Sequence, residues 1–207
     1  MNIFQRVVLS VFGVFYPQKV LGKENIPEGA AVVVCNHYMN IDCGFLKKIF
    51  RDKSYFLAKE ELFKNGFIRW FIKSYGAIPI NRDNPAITSI IAATKVLKDG
   101  GKLIVFPEGT RNKTKERMLP LKEGSALFAI KAKCPIIPVM IWKKAKIFRK
   151  TYLIIGKPIC LDEYYGKKVE KETLKQLDEL IRERMLCEQD RVAEVLRAEK
   201  EKKRKRR

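Results

Sequence analysis

The chain has a single histidine in 207 residues, His37. Its five cysteines, Cys35, Cys43, Cys134, Cys160 and Cys187, are odd in number and form no C-x-x-C pair. One imidazole and scattered thiols argue against a metal site and a disulfide framework; they read as reduced, mostly buried thiols of a cytoplasmic protein. Acids are scarce too: 23 Asp and Glu face 43 Lys and Arg, a formal net charge of +20. That excess predicts polyanionic partners, whether anionic lipid, phosphorylated substrate or nucleic acid, although no nucleic-acid motif accompanies it. Long apolar runs are missing as well. The N-terminal apolar stretch Ile3–Phe15 is too short for the roughly 20 residues of a bilayer-spanning helix. Tyr16-Pro17-Gln18-Lys19 after it makes a poor signal-peptide cleavage site. No internal repeat and no linker divides the chain.

What is present points to one folded domain, because an apolar content of 46% is ordinary for a globular protein. Ile3, Phe4, Val7, Val8, Val11, Phe12 and Phe15 recur at helical spacing. Such a helix either docks on the domain's own core or lies in a membrane interface. Strand-like runs follow at residues 31–35, 55–58, 77–80, 103–106, 136–141 and 152–155. Helical patterns lie between them at 44–50, 60–75, 86–97 and 122–133. This alternation predicts an α/β fold with a largely parallel central sheet flanked by helices. A last helix is expected from Lys171 to about Ala198, before a basic tail with seven cations and one acid in residues 200–207. The tail has nothing to bury and is expected to be disordered, either a solvated end or a nonspecific nucleic-acid tail. The expected organisation is an interfacial helix over 1–18, one domain over 19–198 and the tail over 199–207.

Two of the buried-type runs end in unusual polar chemistry. The first leads into Asn36-His37-Tyr38-Met39-Asn40-Ile41-Asp42, the second into Phe106-Pro107-Glu108-Gly109-Thr110-Arg111. In open α/β sheets ligands bind beyond the carboxyl ends of the strands, where both segments fall. His37 has the chemistry of a general base near neutrality, and Asp42 that of the carboxylate orienting it. Asp42 alternatively reads as the N-cap of the helix after it. Arg111 suits bidentate contact with phosphate, or else a local ion pair with Glu108. Arg82 follows a third strand, Ala77–Ile80, and is a further candidate ligand. Cys35 and Cys43 lie near His37 in sequence, but a cysteine nucleophile finds no other support.

These segments together resemble the glycerophospholipid acyltransferase family, most closely its bacterial lysophosphatidate acyltransferases. Residues 36–42 resemble the NHx4D catalytic block, and residues 106–111 the FPEGTR block assigned to the phosphorylated acceptor. Gly76 to Arg82 is similar to the block that binds glycerol phosphate, and residues 136–141 to an apolar block associated with the active-site wall and acyl group. The resemblance covers about residues 20–160. It implies transfer of a fatty acyl group from acyl-ACP or acyl-CoA, without a cofactor, to the free hydroxyl of lysophosphatidate; a lyso-aminolipid or glycerol 3-phosphate are alternative acceptors. His37 and Asp42 are then catalytic, and Lys59, Arg82, Glu108, Gly109, Thr110 and Arg111 bind the acceptor. The implied setting is the cytoplasmic face of the cell membrane, with an anionic lipid surface and the acyl carrier as partners. One departure stands out: many members carry Ser within the first block, where this chain has Tyr38-Met39-Asn40-Ile41.

Overall fold

A computed structural model describes residues 3–81, 87–122 and 124–205. Seven strands form one sheet: β1 (Gln18–Leu21), β2 (Ala31–Cys35), β3 (Ser54–Lys59), β4 (Ala77–Ile80), β5 (Lys102–Val105), β6 (Ile136–Ile141) and β7 (Thr151–Ile155). Their order across the sheet is β1-β7-β6-β2-β5-β3-β4. Every neighbouring pair is parallel except β6 with β7, so β1 and β7 run against the rest. The α/β architecture with a largely parallel sheet is the one expected from the alternation of runs.

β2 and β6 are buried at every residue, as continuous apolar runs are when both faces of a parallel sheet are covered. Side chains alternate between the faces. Val32 and Val34 enter one core with helices α4 (Ile87–Lys98), α5 (Ser125–Ala132) and α6 (Lys171–Lys205). Ala31, Val33 and Cys35 enter the other, under α2 (Asp42–Phe50) and α1 (Ile3–Phe15).

Several expectations need correction. α1 is present, but it buries Gln5 and Leu9 while Ile3, Val7 and Val14 face outward. Gln5 Nε2 donates to the Ser74 carbonyl at 2.5 Å, which gives the polar side of the helix a partner inside. The helix expected over 60–75 is broken: a 3-10 turn, Glu60–Phe63, precedes α3 (Gly66–Ser74). Asn65 caps α3, its side chain accepting from Ile68 N at 3.0 Å. The boundary expected after residue 18 falls inside β1, and the one after residue 198 falls inside α6. That helix continues to Lys205 instead of giving way to a disordered tail. Extending an existing helix adds one hydrogen bond per ordered residue, and Lys, Arg and Glu are good helix formers. Of the five thiols, Cys35 and Cys134 are buried, Cys43 is half-buried, and Cys160 and Cys187 are exposed. Among the described residues no helix is long and apolar enough to cross a membrane.

Candidate active site

β2 and β5 are adjacent and parallel, so the segments after Cys35 and Val105 leave the same edge of the sheet side by side. Lys59 ends β3, the neighbour of β5, and Asn81 follows β4, one strand further on. Strands about 4.8 Å apart spread these four ends over only ~14 Å.

His37 is held on every side. Its N–H donates to Glu108 Oε1 at 2.8 Å, and its carbonyl accepts from Asn112 N at 2.7 Å. Its ring stacks on Phe106, centroids 4.0 Å apart and planes 21° from parallel. Its Nδ1 lies 2.9 Å from Asp42 Oδ2. A carboxylate only accepts, so Nδ1 carries a proton, and in the neutral ring Nε2 keeps its lone pair. Five residues apart, the two side chains meet because the chain turns between β2 and α2. The same Asp42 oxygen closes that turn, accepting from Tyr38 N and Met39 N at 2.7 Å each. Asp42 is thus the first residue of α2, with Ile41 at the cap position, and its carboxylate points back to the turn and the histidine. It is wholly buried, near the partial positive charge of a helix N-terminus.

Glu108 differs from the expectation of an Arg111 or substrate partner. It is buried, and its two oxygens are taken by backbone amides, His37 N and Leu119 N, each at 2.8 Å. Burial raises its carboxyl above the ordinary value, partly offset by those amide bonds. Gly109 has a left-handed φ of 66°, and a Cβ there would lie 2.6 Å from Lys122 Cδ. This turn of the motif therefore admits glycine alone without strain. Thr110 and Arg111 are exposed at its tip. Lys59 pairs with Glu61 at 2.8 Å, both about half exposed, and such a pair exchanges readily for another anion. Arg82 lies outside the described residues.

Residues not expected to matter complete the frame. Asn36 bridges to the end of β6: its Nδ2 donates to the Ile141 carbonyl at 3.1 Å, and its Oδ1 accepts Ile141 N at 2.7 Å. Asn112 Nδ2 donates to the Glu116 carbonyl at 3.0 Å, and its Oδ1 accepts Thr114 N at 2.9 Å, shaping the loop beyond the second motif. Arg117 then ties that loop to α6 through Gln189 Oε1 at 2.7 Å, Asp190 Oδ1 at 2.7 Å and the Leu186 carbonyl at 3.2 Å. Asn36 stood next to His37 in sequence; Asn112 and Arg117 carried no such signal.

A cavity of about 170 Å³ opens behind Phe106, between the sheet and helices α4 and α5. Leu57, Ile80, Ile90, Leu127 and Phe128 give it an apolar wall, and Gly109 and Lys122 also border it. Ile136–Ile141, expected at the active-site wall, is a wholly buried core strand whose Val139 and Ile141 share a cluster with Phe106, and Asn36 bonds its last residue. Cys35 is buried, and burial foremost, aided by the Asp42 and Glu108 charges, pushes its thiol well up, the opposite of what a thiolate nucleophile needs.

Comparison with known proteins agrees with this arrangement. A family model described as Acyltransferase matches residues 18–142. The chain is 32% identical over 191 residues to a Bacillus subtilis protein named 1-acyl-sn-glycerol-3-phosphate acyltransferase, covering 87% of this chain and 90% of that protein. A Helicobacter pylori protein of the same name is 30% identical over 170 residues, covering 73% of this chain and 72% of that one. Among solved structures, the 1-acyl-sn-glycerophosphate (LPA) acyltransferase PlsC from Thermotoga maritima superposes with a TM-score of 0.65 at 29% identity, over 93% of this chain and 76% of that one. With the His37–Asp42 pair at the carboxyl edge of its sheet, the chain belongs to the acyltransferase family.

Proposed function

We propose that this protein transfers a fatty acyl group from a thioester to the free hydroxyl of lysophosphatidate, forming phosphatidate. The observation that carries the reading is the His37 Nδ1···Asp42 Oδ2 bond of 2.9 Å, set beside a cation-bearing loop. Nε2 takes the proton of the acceptor hydroxyl, and the oxygen attacks the thioester carbonyl carbon. The tetrahedral intermediate collapses with cleavage of the C–S bond, and the imidazolium returns its proton to the departing thiolate. General acid–base help of this kind contributes roughly 10²–10⁴-fold. Asp42 holds the tautomer and stabilises the imidazolium. Gly109 N and Asn112 N are committed to the carbonyls of Phe106 and His37, which leaves the Thr110 and Arg111 amides of that loop to meet the oxyanion.

Lys59, Arg111 and Arg82 would hold the phosphate and so position the hydroxyl. Glu108 acts indirectly, by fixing the His37 backbone. The apolar cavity behind Phe106 suits the acyl chain. The names of the Bacillus subtilis, Helicobacter pylori and Thermotoga maritima relatives support lysophosphatidate as the acceptor.

Such a substrate places the enzyme at a membrane, and the outward side of α1 suits that setting. Ile3 is 82% exposed on α1 and Phe67 75% exposed on α3. Phe4 meets Trp70 at 6.3 Å between ring centroids, which joins the two helices into one patch. Phe148, exposed and held at a φ of 56°, extends it beside Phe15 at 5.4 Å. The patch is proposed to enter an interface, with basic residues meeting anionic head groups at about 1 kcal/mol each. An acceptor panel tests the activity. Lysophosphatidate should give phosphatidate by mass spectrometry, whereas faster acylation of glycerol 3-phosphate or a lyso-aminolipid would move the reading to that acceptor.

A further inference from the structure

A second cavity lies at the end of the sheet opposite His37. Its volume is about 290 Å³, and Ile26, Glu28, Ile49, Phe50, Lys53 and Lys102 border it. Lys102 is the first residue of β5 and pairs in register with Ala31 and Ser54, the first residues of β2 and β3. Helix α2 runs from Asp42, beside His37, to Phe50 at this cavity, about 12 Å at a rise of 1.5 Å per residue. The cavity shares no residue with the two motifs or with the space behind Phe106.

Lys102 is the unusual member. It is only 8% exposed, and its ammonium donates to the carbonyls of Pro27, at 2.9 Å, and Gly29. An ammonium carries three N–H groups; among the described residues the third has no partner, and no carboxylate pairs with the charge. Lysine is almost never buried so fully without an opposite charge, because an unpaired buried ion gives up its hydration without return. Burial holds the Lys102 pKa below the ordinary lysine value; Cys134 opposes this and Lys53 adds to it. The Cys134 thiol is itself pushed up to about 11 by burial, so it offers no negative charge at neutral pH. Glu28 is exposed and, among the described residues, pairs with neither lysine. Ile26, Ile49 and Phe50, half-buried against the core under α2, give the same cavity an apolar wall.

We propose that this cavity is a second ligand site, which takes a small amphipathic oxyanion: a carboxylate or phosphate held between Lys102 and Lys53, with a short alkyl body against Ile26, Ile49 and Phe50. The oxyanion accepts the third N–H of Lys102 in a charge-assisted bond and supplies the missing counter-charge. The alkyl body displaces water from the apolar wall. The site stands apart from acyl transfer, since none of its residues belongs to that machinery.

Calorimetric titration of the full chain in detergent micelles tests this with hexanoate, hexyl phosphate, the uncharged hexanamide and inorganic phosphate. One-to-one binding of hexanoate or hexyl phosphate is expected, and the tighter of the two decides between carboxylate and phosphate. Hexanamide and inorganic phosphate each lack half of the ligand and should bind at least about tenfold more weakly. Lys53→Gln, at an exposed position, should weaken binding by about fivefold, and Lys102→Met by more than about tenfold. Arg111→Gln, on the motif loop, should bind within about twofold of wild type. If Lys102→Met does not fold, Lys53→Gln decides alone. Unchanged binding in Lys53→Gln, or hexanamide as tight as hexanoate, would overturn the proposal and leave Lys102 a clamp on the loop before β2. Binding lost in Arg111→Gln but kept in Lys53→Gln would overturn it by assigning the probes to the active site. So would a failure of both anionic amphiphiles to bind wild type.

Discussion

Replacing Asp42 with asparagine separates two contributions that a larger change would merge. In the native protein one Asp42 oxygen accepts from His37 Nδ1, Tyr38 N and Met39 N at 2.9, 2.7 and 2.7 Å. Alanine would leave two buried backbone donors unpaired at about 1–3 kcal/mol each, and loss of activity would then be confounded with loss of structure. Asparagine keeps an acceptor. The two backbone N–H groups require an oxygen at that position, so they hold the amide oxygen, not its NH₂, towards His37. The tautomer survives and only the charge is lost. Hydrogen bonds to charged groups are worth about 1.5–3 kcal/mol against about 0.5–1.5 for neutral ones. The bond to the imidazolium therefore weakens by ~1–2 kcal/mol in the transition state, a fall in kcat of about 5- to 30-fold. Weakening of the two backbone bonds costs a further ~1–3 kcal/mol of stability, or about 2–12 °C in Tm. Thiol release with saturating lysophosphatidate measures kcat, KM reports acceptor binding, and a thermal melt reports folding. A loss near 10⁴-fold, as when the wrong tautomer is imposed, in a folded protein with unchanged KM would refute the pinning argument. Activity within twofold of wild type would refute the role of Asp42 itself.

Three further outcomes follow from the same geometry. Glu108→Gln turns an NH₂ towards one of two backbone donors, so it should cost about 1–3 kcal/mol of stability, read from denaturant unfolding. The raised Glu108 carboxyl favours folding below the unfolded carboxylate range, and this contribution is lost as pH rises through the folded pKa. The Tm of wild type minus that of Glu108→Gln should therefore fall as pH rises above the ordinary Glu value of about 4.3; a rise would contradict the assignment. Val7→Glu combined with Trp70→Glu, both at exposed positions, should weaken binding to anionic vesicles while leaving Tm in detergent unchanged, and undiminished vesicle binding would remove the patch from the membrane. Thiol alkylation followed by peptide mapping should modify the exposed Cys160 and Cys187 and spare Cys35, and Cys35→Ala should keep turnover; a folded but inactive variant would revive a cysteine nucleophile.

The sheet and the convergence of the two motifs at its edge were legible because their signals are local. Val32 to Val34 and Leu103 to Val105 are apolar runs that end abruptly in polar motifs, and parallel pairing of β2 with β5 brings those ends together. Edge elements were harder to see. β1, Gln18–Leu21, mixes polar and apolar residues, and its four residues are all half-buried beside β7. The direction of α1 was ambiguous from spacing alone, since Leu9 and Phe12 pack inward although Val7 and Val11 on neighbouring turns do not. Glu108 shows the same limit within the site. Its motif neighbours suggested Arg111 as partner, whereas its actual partners, His37 N and Leu119 N, are 71 and 11 residues away in sequence.

The central claim is that His37 acts as the base in lysophosphatidate-dependent acyl transfer. Thiol release from a palmitoyl thioester in detergent micelles, with and without lysophosphatidate, compares wild type directly with His37→Ala. The account predicts release that requires lysophosphatidate and falls by roughly 10²-fold or more in the folded variant. Release without lysophosphatidate, or a folded His37→Ala protein of wild-type rate, would contradict it.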